Sequence, residues 1–197
     1  MTRVYLVRHG SHGLLGKMLC GRMEGVSLSD EGQAQAIGLA RYFGAGRGIG
    51  AILSSPMQRC RQTAAPMAER LGLPVEIRED LNELDCGHWS GRTFDDLGAD
   101  ARWHAWNRDR EVAGVPGGET VAEVRGRIMP LLERAVAGAS APAVWVTHGD
   151  IIKVAVLSLL GASADGHDRL EVEPASVTTL DLWPGGGKIV RSNEVAA

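Results

Sequence analysis

The sequence predicts an α/β fold in which helices cover both faces of a mostly parallel central sheet. Short apolar runs, each too brief for a helix, alternate along the chain with longer segments whose apolar residues recur at helical spacing. Such alternation is typical of strand–helix–strand units, which build parallel sheets. Near the end of the chain, two short runs separated by PGGG instead indicate an antiparallel hairpin.

The predicted strands are apolar or alternating runs, rich in β-branched residues, and are separated by glycine, proline or polar clusters. The last two of them form the predicted terminal hairpin. In chain order the strands are VYLV (4–7), AILSS (51–55), VEI (75–77), AVWVTH (143–148), VTTLDLW (177–183) and KIVR (188–191).

The first predicted helix spans residues 29–43, and either Ser29 or Asp30 can cap its start because both side chains accept hydrogen bonds from backbone N–H groups. Its apolar residues recur at helical spacing and predict the face that packs on the sheet. These residues are Ala36, Ile37, Ala40 and Phe43.

The second predicted helix spans residues 56–72, with Pro56 near its first turn and Gly72 just past its end. Pro66 lies inside this segment, and an interior proline removes a backbone hydrogen bond. We therefore expect the helix to be kinked or split there.

Three further segments have helical character. Residues 93–113 are polar and contain two tryptophans, residues 117–138 have a long helical period, and residues 150–161 are strongly apolar. Between the third strand and the first of these segments, residues 79–92 have no clear period, and we expect a functional loop there.

The length of 197 residues fits a single domain, which we assign to residues 1–192. A domain of this size can bury enough surface to fold without a disulfide or a structural metal. The last five residues, NEVAA at 193–197, are expected to form a disordered tail.

Charge and cysteine content exclude several classes of protein. The net charge of −3 indicates neither a nucleic-acid partner nor an anionic membrane surface. Cys20, Cys60 and Cys86 are odd in number and none forms a CxxC pair, so neither a disulfide framework nor a zinc cluster is predicted. Because the N-terminus resembles neither a signal peptide nor a membrane span, we expect a cytoplasmic protein.

Reactive residues follow three of the predicted strands, at the edge of the sheet where open α/β folds bind ligands. If the strands are parallel neighbours, two histidines and two arginines converge there, and the helix after Gly149 directs free N–H groups to the same place. The three endings are Arg8-His9-Gly10, Ser54-Ser55-Pro56 with Arg59 in the following helix, and Thr147-His148-Gly149.

Two histidines and two arginines without an evident metal-ligand set suit phosphoryl transfer. The planar guanidinium of arginine binds phosphate oxygens in pairs and keeps its charge. A histidine nitrogen can accept a phosphoryl group, and arginine with protonated histidine can neutralise its charge. Each residue alone is weak evidence, because a single histidine at a strand end is more often structural.

Ester cleavage also needs an acid that protonates the leaving oxygen. The segment LNELDCGHWSG (81–91) offers Glu83 and Asp85 as carboxyl groups. Desolvation by Leu84 or Trp89 can raise a carboxyl pKa toward neutrality. Spacing alone does not distinguish such an acid from an ordinary surface charge.

Together these motifs resemble the histidine phosphatase superfamily, the phosphoglycerate mutase-like or histidine acid phosphatase group (branch 1). RHG alone is a weak signal, whereas the ordered set is specific and covers residues 3–161. In order, the motifs are VYLVRHG, SSPMQRCRQTA, LNELDCGHWSGRT, PGGET and WVTHGDII.

The resemblance implies a three-layer α/β/α sandwich, no metal and no organic cofactor. It implies that His9 is the phosphorylated nucleophile and that Glu83 is the proton donor and later the base for water. Arg8, Arg59 and His148 would complete the phosphate pocket, and Gly10 and Gly149 would shape its walls.

The chain departs from the family pattern after Gly10. Relatives carry an asparagine a few residues later that contacts the phosphate, and its place here falls near Leu15. Ser11, its backbone N–H group or Arg22 are the candidates to replace it. A salt bridge that packs the loop is an equally weighted interpretation of Arg22.

The expected function is a metal-independent phosphomonoesterase that acts on a small phosphorylated metabolite through a phosphohistidine. A phosphoglycerate mutase-type transfer is the alternative, but the segment between Glu83 and PGGET holds only about thirty residues, too few for the basic insertion of such mutases. A non-catalytic phosphate-binding domain is a third hypothesis. Oligomeric state is open, with a homodimer as one option.

Trp103 and Trp106 lie three residues apart on one face of the predicted 93–113 helix. Packing residues are the favoured interpretation. If they line the mouth of the pocket instead, an aromatic or nucleoside-like leaving group becomes plausible.

Overall fold

The computed structural model describes residues 1–44, 46–138 and 141–195. Its helices are α1 (Asp30–Phe43), α2 (Gln58–Leu71), α3 (Phe94–Gly98), α4 (Ala101–Arg108), α5 (Val121–Gly138) and α6 (Gly149–Leu159). Its strands are β1 (Thr2–Arg8), β2 (Ala51–Ser54), β3 (Val75–Ile77), β4 (Ala143–Thr147), β5 (Ser176–Trp183) and β6 (Gly186–Val195).

The strands of the described residues form one sheet in the order β3-β2-β4-β1-β5-β6. The first four in this order run parallel, and β5 and β6 are antiparallel, which confirms the mostly parallel sheet with a terminal hairpin. In the register, Arg8 lies opposite Thr147, and Ser54 lies opposite Val146. The three chemically distinctive strand endings therefore meet at one edge.

Two hydrophobic clusters on opposite faces of the sheet give the three layers. Along β1 the side chains alternate, so that Val4 and Leu6 pack with α5 and α6 while Tyr5 and Val7 pack with α1 and α2. All four are buried. Burial on both faces explains why this strand is almost continuously apolar.

Helix α1 begins as predicted but turns its apolar face differently. The Ser29 hydroxyl caps it by accepting a hydrogen bond from the Gly32 N–H. Ile37, predicted to pack, is 49% exposed, whereas Leu39 is fully buried. The prediction for Ile37 was wrong because the inward stripe runs through Ala36, Leu39 and Ala40, which places Ile37 at its margin.

Helix α2 is continuous through Pro66 and ends at Gly72, which has a left-handed backbone. The predicted split is therefore wrong. Thr63, Ala64 and Met67 are buried on both sides of the proline, so packing holds the helix together where one backbone hydrogen bond is lost.

The segment 93–113 contains two short helices rather than one. The Thr93 side chain caps α3 and the Asp100 side chain caps α4, each by accepting a backbone hydrogen bond. A capping residue inside a helical segment starts a new helix because its own backbone is extended. Across the described residues, no helix combines the length and hydrophobicity that crossing a membrane requires.

The predicted disordered tail is wrong for residues 193–195, which belong to β6. Glu194 pairs with Val177 in the sheet and accepts a hydrogen bond from the Tyr42 hydroxyl. Asn193 has a left-handed backbone (φ 54°), and its side chain accepts a hydrogen bond from Glu173 N. These contacts fix a segment whose polar composition gives no strand signal; residues 196–197 lie outside the described residues.

Candidate active site

A cavity of about 230 Å³ opens at the sheet edge where β1 and β4 end. Apolar side chains on its rim include Leu15, Met18, Leu19 and Phe94. Its ionisable lining residues are Arg8, His9, His12, Cys20, Arg59, Glu83, Cys86, Asp150, Lys153 and Glu171.

A larger cavity of about 390 Å³ lies at the opposite edge, between β2 and α5. Its lining is largely apolar, and its two arginines, Arg78 and Arg134, already pair with Asp80. The cavity lined by His9 is therefore the candidate active site, as expected from its place at the carboxyl ends of parallel strands.

His9 follows β1 directly, and its backbone N–H donates to the Thr147 carbonyl at 2.9 Å. Its ring Nδ1 lies 2.9 Å from the Gly10 carbonyl. A carbonyl only accepts hydrogen bonds, so this contact assigns the proton to Nδ1 and leaves the lone pair on Nε2. Burial and the nearby Arg59 charge lower the pKa of His9, which favours this neutral, nucleophilic form.

Arg8 and Arg59 supply positive charge beside His9. The Arg8 Nη1 donates to the Val172 carbonyl at 2.6 Å, and the Arg59 Nη2 donates to the Gly21 carbonyl at 2.7 Å. Among the described residues, Arg8 Nε and both Nε and Nη1 of Arg59 are buried without a hydrogen-bond partner. Buried donors that lack a partner are costly, so these groups indicate the place of an anionic ligand.

His148 lies behind the cavity surface, fully buried, with its ring 5.2 Å from that of His9. Its Nδ1 accepts a hydrogen bond from Arg59 Nη2 at 3.1 Å, which leaves Nε2 to donate to the Ser55 hydroxyl at 2.8 Å. Burial and Arg59 lower the pKa of His148, so the neutral form is favoured rather than the imidazolium expected from the sequence. His148 orients Arg59, and its contact with a phosphoryl group stays a prediction.

Glu83 lines the cavity beside the buried His148 ring. Its Oε1 accepts a hydrogen bond from Leu84 N at 2.9 Å, and its Oε2 is 3.6 Å from Nδ1 of His148. Burial and the negative charge of Asp150 raise the pKa of Glu83 to about 8, so it holds a proton at neutral pH. Asp85, the other carboxyl of this loop, is outside the cavity lining and accepts a hydrogen bond from Gly87 N.

Gly10 does not line the cavity, contrary to the expectation that it shapes the pocket wall. A Cβ at this position would lie 2.8 Å from the Gly32 carbonyl oxygen and 3.1 Å from the Gly32 Cα. The glycine is required because the loop after β1 packs directly against the first turn of α1.

Gly10→Ala is therefore expected to destabilise the fold by about 1–3 kcal/mol, because the added methyl group meets backbone that cannot turn away. Urea unfolding of the variant measures this loss. Gly13→Ala is the matched control, since a Cβ at Gly13 meets no atom within 4 Å. Equal stability of the two variants would contradict the packing role.

Ser11 and Arg22 also do not line the cavity. The Ser11 N–H donates to Gln35 Oε1 at 2.8 Å, so it is engaged with α1 rather than with a ligand. The Arg22 guanidinium donates to the Glu83 carbonyl at 2.8 Å and to Glu119 Oε2 at 2.7 Å. The structure thus favours loop packing for Arg22, whose hydrogen bond to the Glu83 carbonyl holds the backbone of Glu83 in place.

Gly149 lines the cavity at the start of α6, where no side chain caps the helix. A Cβ at Gly149 would lie 3.5 Å from Arg8 Nε, so glycine is not sterically required there. The first turn of α6 and Arg8 face the same space, which suits an anion.

His12, Asp150 and Lys153 also line the cavity, although none of them was predicted from the sequence as a site residue. The ring of His12 lies 5.4 Å from that of His9, and burial lowers its pKa to about 4. The available signal was spacing, because Lys153 follows Gly149 by four residues on one helical face. For residues 1–44, 46–138 and 141–195, no group of three or more His, Cys, Asp or Glu side chains is placed to hold a metal ion.

The two tryptophans of α4 are packing residues. Trp106 is 3% exposed and has the Arg110 guanidinium 3.7 Å from its ring centroid, while Trp103 packs against Trp89. Neither α4 tryptophan lines the cavity. The structure therefore gives no support to an aromatic platform for the leaving group on α4.

Comparison with known proteins agrees with this geometry. The sequence model of the histidine phosphatase superfamily (branch 1) matches residues 4–195. A bifunctional protein of Mycobacterium tuberculosis is 32% identical over 193 residues, which cover 96% of this chain and 53% of that protein. This chain thus spans about half the length of the curated relatives that it matches at this identity.

Two solved structures are similar over almost their whole length. The mycobacterial glucosyl-3-phosphoglycerate phosphatase has a TM-score of 0.86 at 30% identity, with 98% of each chain covered. The phosphoserine phosphatase of Entamoeba histolytica, solved with 3-phosphoglyceric acid, has a TM-score of 0.85 at 26% identity, also with 98% of each chain covered.

Proposed function

The chain belongs to the histidine phosphatase superfamily, branch 1, and from this premise we propose that it is a metal-independent phosphomonoesterase. The proposed substrates are small phosphorylated metabolites, the class to which the substrates named for its relatives belong. The proposed intermediate is a phosphohistidine on His9.

One observation carries the proposal: His9, whose Nδ1 is held by the Gly10 carbonyl so that Nε2 is left to react, shares one cavity with unpartnered arginine donors and the Glu83 carboxyl group. Arg59 contributes two buried nitrogens without partners, and Arg8 contributes one. Glu83, with a pKa of about 8, is the acid. Nucleophile, charge neutralisation and proton donor are the three parts that ester cleavage through an enzyme intermediate requires.

In the first step, His9 Nε2 attacks phosphorus. An N–P bond forms, the ester P–O bond breaks, and Glu83 gives its proton to the departing oxygen, which leaves as an alcohol. Arg8 and Arg59 hold the phosphoryl oxygens throughout, which lowers the barrier by stabilising their charge.

In the second step, the Glu83 carboxylate takes a proton from water while the water oxygen attacks phosphorus. The N–P bond breaks, its electron pair returns to His9 Nε2, and inorganic phosphate is released. Glu83 is protonated again, so the site is ready for another cycle.

Hydrolysis of p-nitrophenyl phosphate in the presence of EDTA tests this function. We expect turnover across pH 5–8 that EDTA leaves unchanged, because the arginines supply the charge that a metal would otherwise supply. Turnover lost in EDTA would contradict metal independence. No turnover by folded protein on any phosphomonoester would favour a binding domain.

The mutase alternative is tested by product analysis. With 3-phosphoglycerate as substrate, faster formation of 2-phosphoglycerate than of free phosphate would establish mutase-type transfer. We expect free phosphate, because the segment between Glu83 and α5 is short and contains only a 3-10 turn (Gly87–Trp89) and the two short α-helices α3 and α4.

We also propose a cytoplasmic location and leave a homodimer as the assembly to test by light scattering. Among the described residues, Cys20, Cys60 and Cys86 are buried and unpaired. Buried free thiols support a reducing compartment.

A further inference from the structure

Lys153 supplies a positive charge to the cavity that the proposed chemistry does not use. Its side chain is partly buried on α6 and lines the cavity with Arg8 and Arg59. Within the described residues, its ammonium group has no hydrogen bond and no carboxylate oxygen within 4.0 Å, unlike the many arginines that form ion pairs (such as Arg22 and Arg127). Burial lowers the pKa of Lys153.

Three acidic side chains act on this lysine, namely Asp150, Asp168 and Glu171. Asp150 and Asp168 both contact the ring of His167. Asp150 Oδ1 accepts a hydrogen bond from His167 Nε2 at 2.5 Å and lies 3.8 Å from Arg110 Nη1. Glu171 is exposed to solvent, which screens its charge. The ammonium group of Lys153 therefore remains available to a ligand in the cavity.

Lys153 lies on the same helix as Gly149, which is next to the proposed phosphate donor Arg8. Gly149, one helical turn before Lys153, lies against Arg8, since a Cβ there would be 3.5 Å from Arg8 Nε. Four residues of α-helix advance about 6 Å along the axis. Lys153 thus lies one helical turn from the residue next to Arg8 and lines the same cavity.

We propose that Lys153 binds a carboxylate on the alcohol part of the substrate, so that the preferred substrates are phosphate esters of small hydroxy acids. The inference rests on the proposed phosphatase function and names its substrate class. A single lysine in the cavity matches the single charge of a carboxylate. The small cavity, about 230 Å³, fits a leaving group of a few carbon atoms.

Matched substrate pairs test this assignment. 3-Phosphoglycerate and glycerol 3-phosphate differ by a carboxylate in place of a hydroxymethyl group, and phosphoserine and phosphoethanolamine differ by one carboxylate. We expect kcat/KM of the wild-type protein to favour the acid of each pair by about tenfold or more, because a charged hydrogen bond is lost without it. Lys153→Met is expected to bring the ratio close to one, and Lys153→Glu to reverse it.

Lys188→Met is the matched control, since Lys188 lies on β6 near Asp181 and outside the cavity. It should preserve the preference for the acid. A wild-type ratio near one, or an unchanged ratio in Lys153→Met, would overturn the inference. Turnover of p-nitrophenyl phosphate by the wild type separates this failure from failure of the proposed function, since no turnover at all would overturn both.

Discussion

Replacing His9 with alanine is expected to abolish phosphatase activity together with phosphorylation of the protein. His9 supplies the only protein atom that bonds to phosphorus in the proposed mechanism, so the variant loses the covalent route entirely. The expected fall in kcat/KM is roughly 10⁴- to 10⁶-fold, by analogy with the loss of a catalytic nucleophile in other enzymes.

The structure also identifies His12 as the alternative candidate for the nucleophile. The ring of His12 lies 5.4 Å from that of His9 and lines the same cavity. His9 is favoured because the Gly10 carbonyl fixes its tautomer, whereas the Nδ1 of His12 is buried without a partner in the described residues. A rigid strand end and one defined tautomer give His9 a fixed attacking atom.

The phosphohistidine intermediate is measured by mixing the protein with a phosphate ester that carries a labelled phosphoryl group and quenching rapidly in alkali. Phosphohistidine is stable in alkali and labile in acid. We expect label on the wild type and on His12→Ala, and none on His9→Ala. Label that persists in His9→Ala would exclude His9 as the nucleophile, and label that disappears in His12→Ala alone would assign that role to His12.

The positions of the strands could be predicted because β1 and β4 are buried on both faces. A strand covered on both faces is almost continuously apolar, and this leaves a recognisable run in the sequence. The end of β1 could be predicted for the same reason. The apolar run gives way to Arg8 and His9 at the point where the sheet opens to the cavity.

Contacts between distant segments were not predictable from local pattern. Gly10 carries the general signal of a close backbone approach, but the sequence does not say whether the approaching group is a ligand or another chain segment. Here it is Gly32 of α1. Likewise, Arg22 meets Glu83 and Glu119 only after three separate loops come together.

The contacts and the protonation state of His148 could not be predicted from the sequence either. The sequence places His148 after β4, and the fold brings it to His9. Whether a histidine there is charged depends on burial and on its neighbours, and Arg59, which donates to its Nδ1, lies 89 positions away in the chain. Spacing in the sequence therefore predicts which groups meet more reliably than it predicts their protonation.

Replacing Glu83 with glutamine is expected to slow cleavage most for esters with poor leaving groups. An alkoxide is too basic to leave without a proton, whereas p-nitrophenolate leaves without one. Loss of a general acid typically costs about 10²- to 10⁴-fold. We expect a loss of this size in the rate of protein phosphorylation by an alkyl phosphate and a much smaller loss with p-nitrophenyl phosphate.

The pH dependence of the Glu83→Gln variant is an independent test of the acid role. Burial and Asp150 raise the pKa of Glu83 to about 8. The proton that the first step needs is present below this pH and is lost above it, so kcat/KM for an alkyl phosphate should fall as pH rises through about 8. Glutamine does not titrate, so the variant should lack this alkaline fall.

Glu171→Gln is the matched control, because Glu171 lines the same cavity but is exposed to solvent. It should keep both the alkaline fall and the dependence on the leaving group. Equal losses with good and poor leaving groups in Glu83→Gln would contradict the acid role, and so would an alkaline fall that survives the substitution. Either result would transfer the proton donation to another group of the cavity and leave Glu83 as a residue that orients His148.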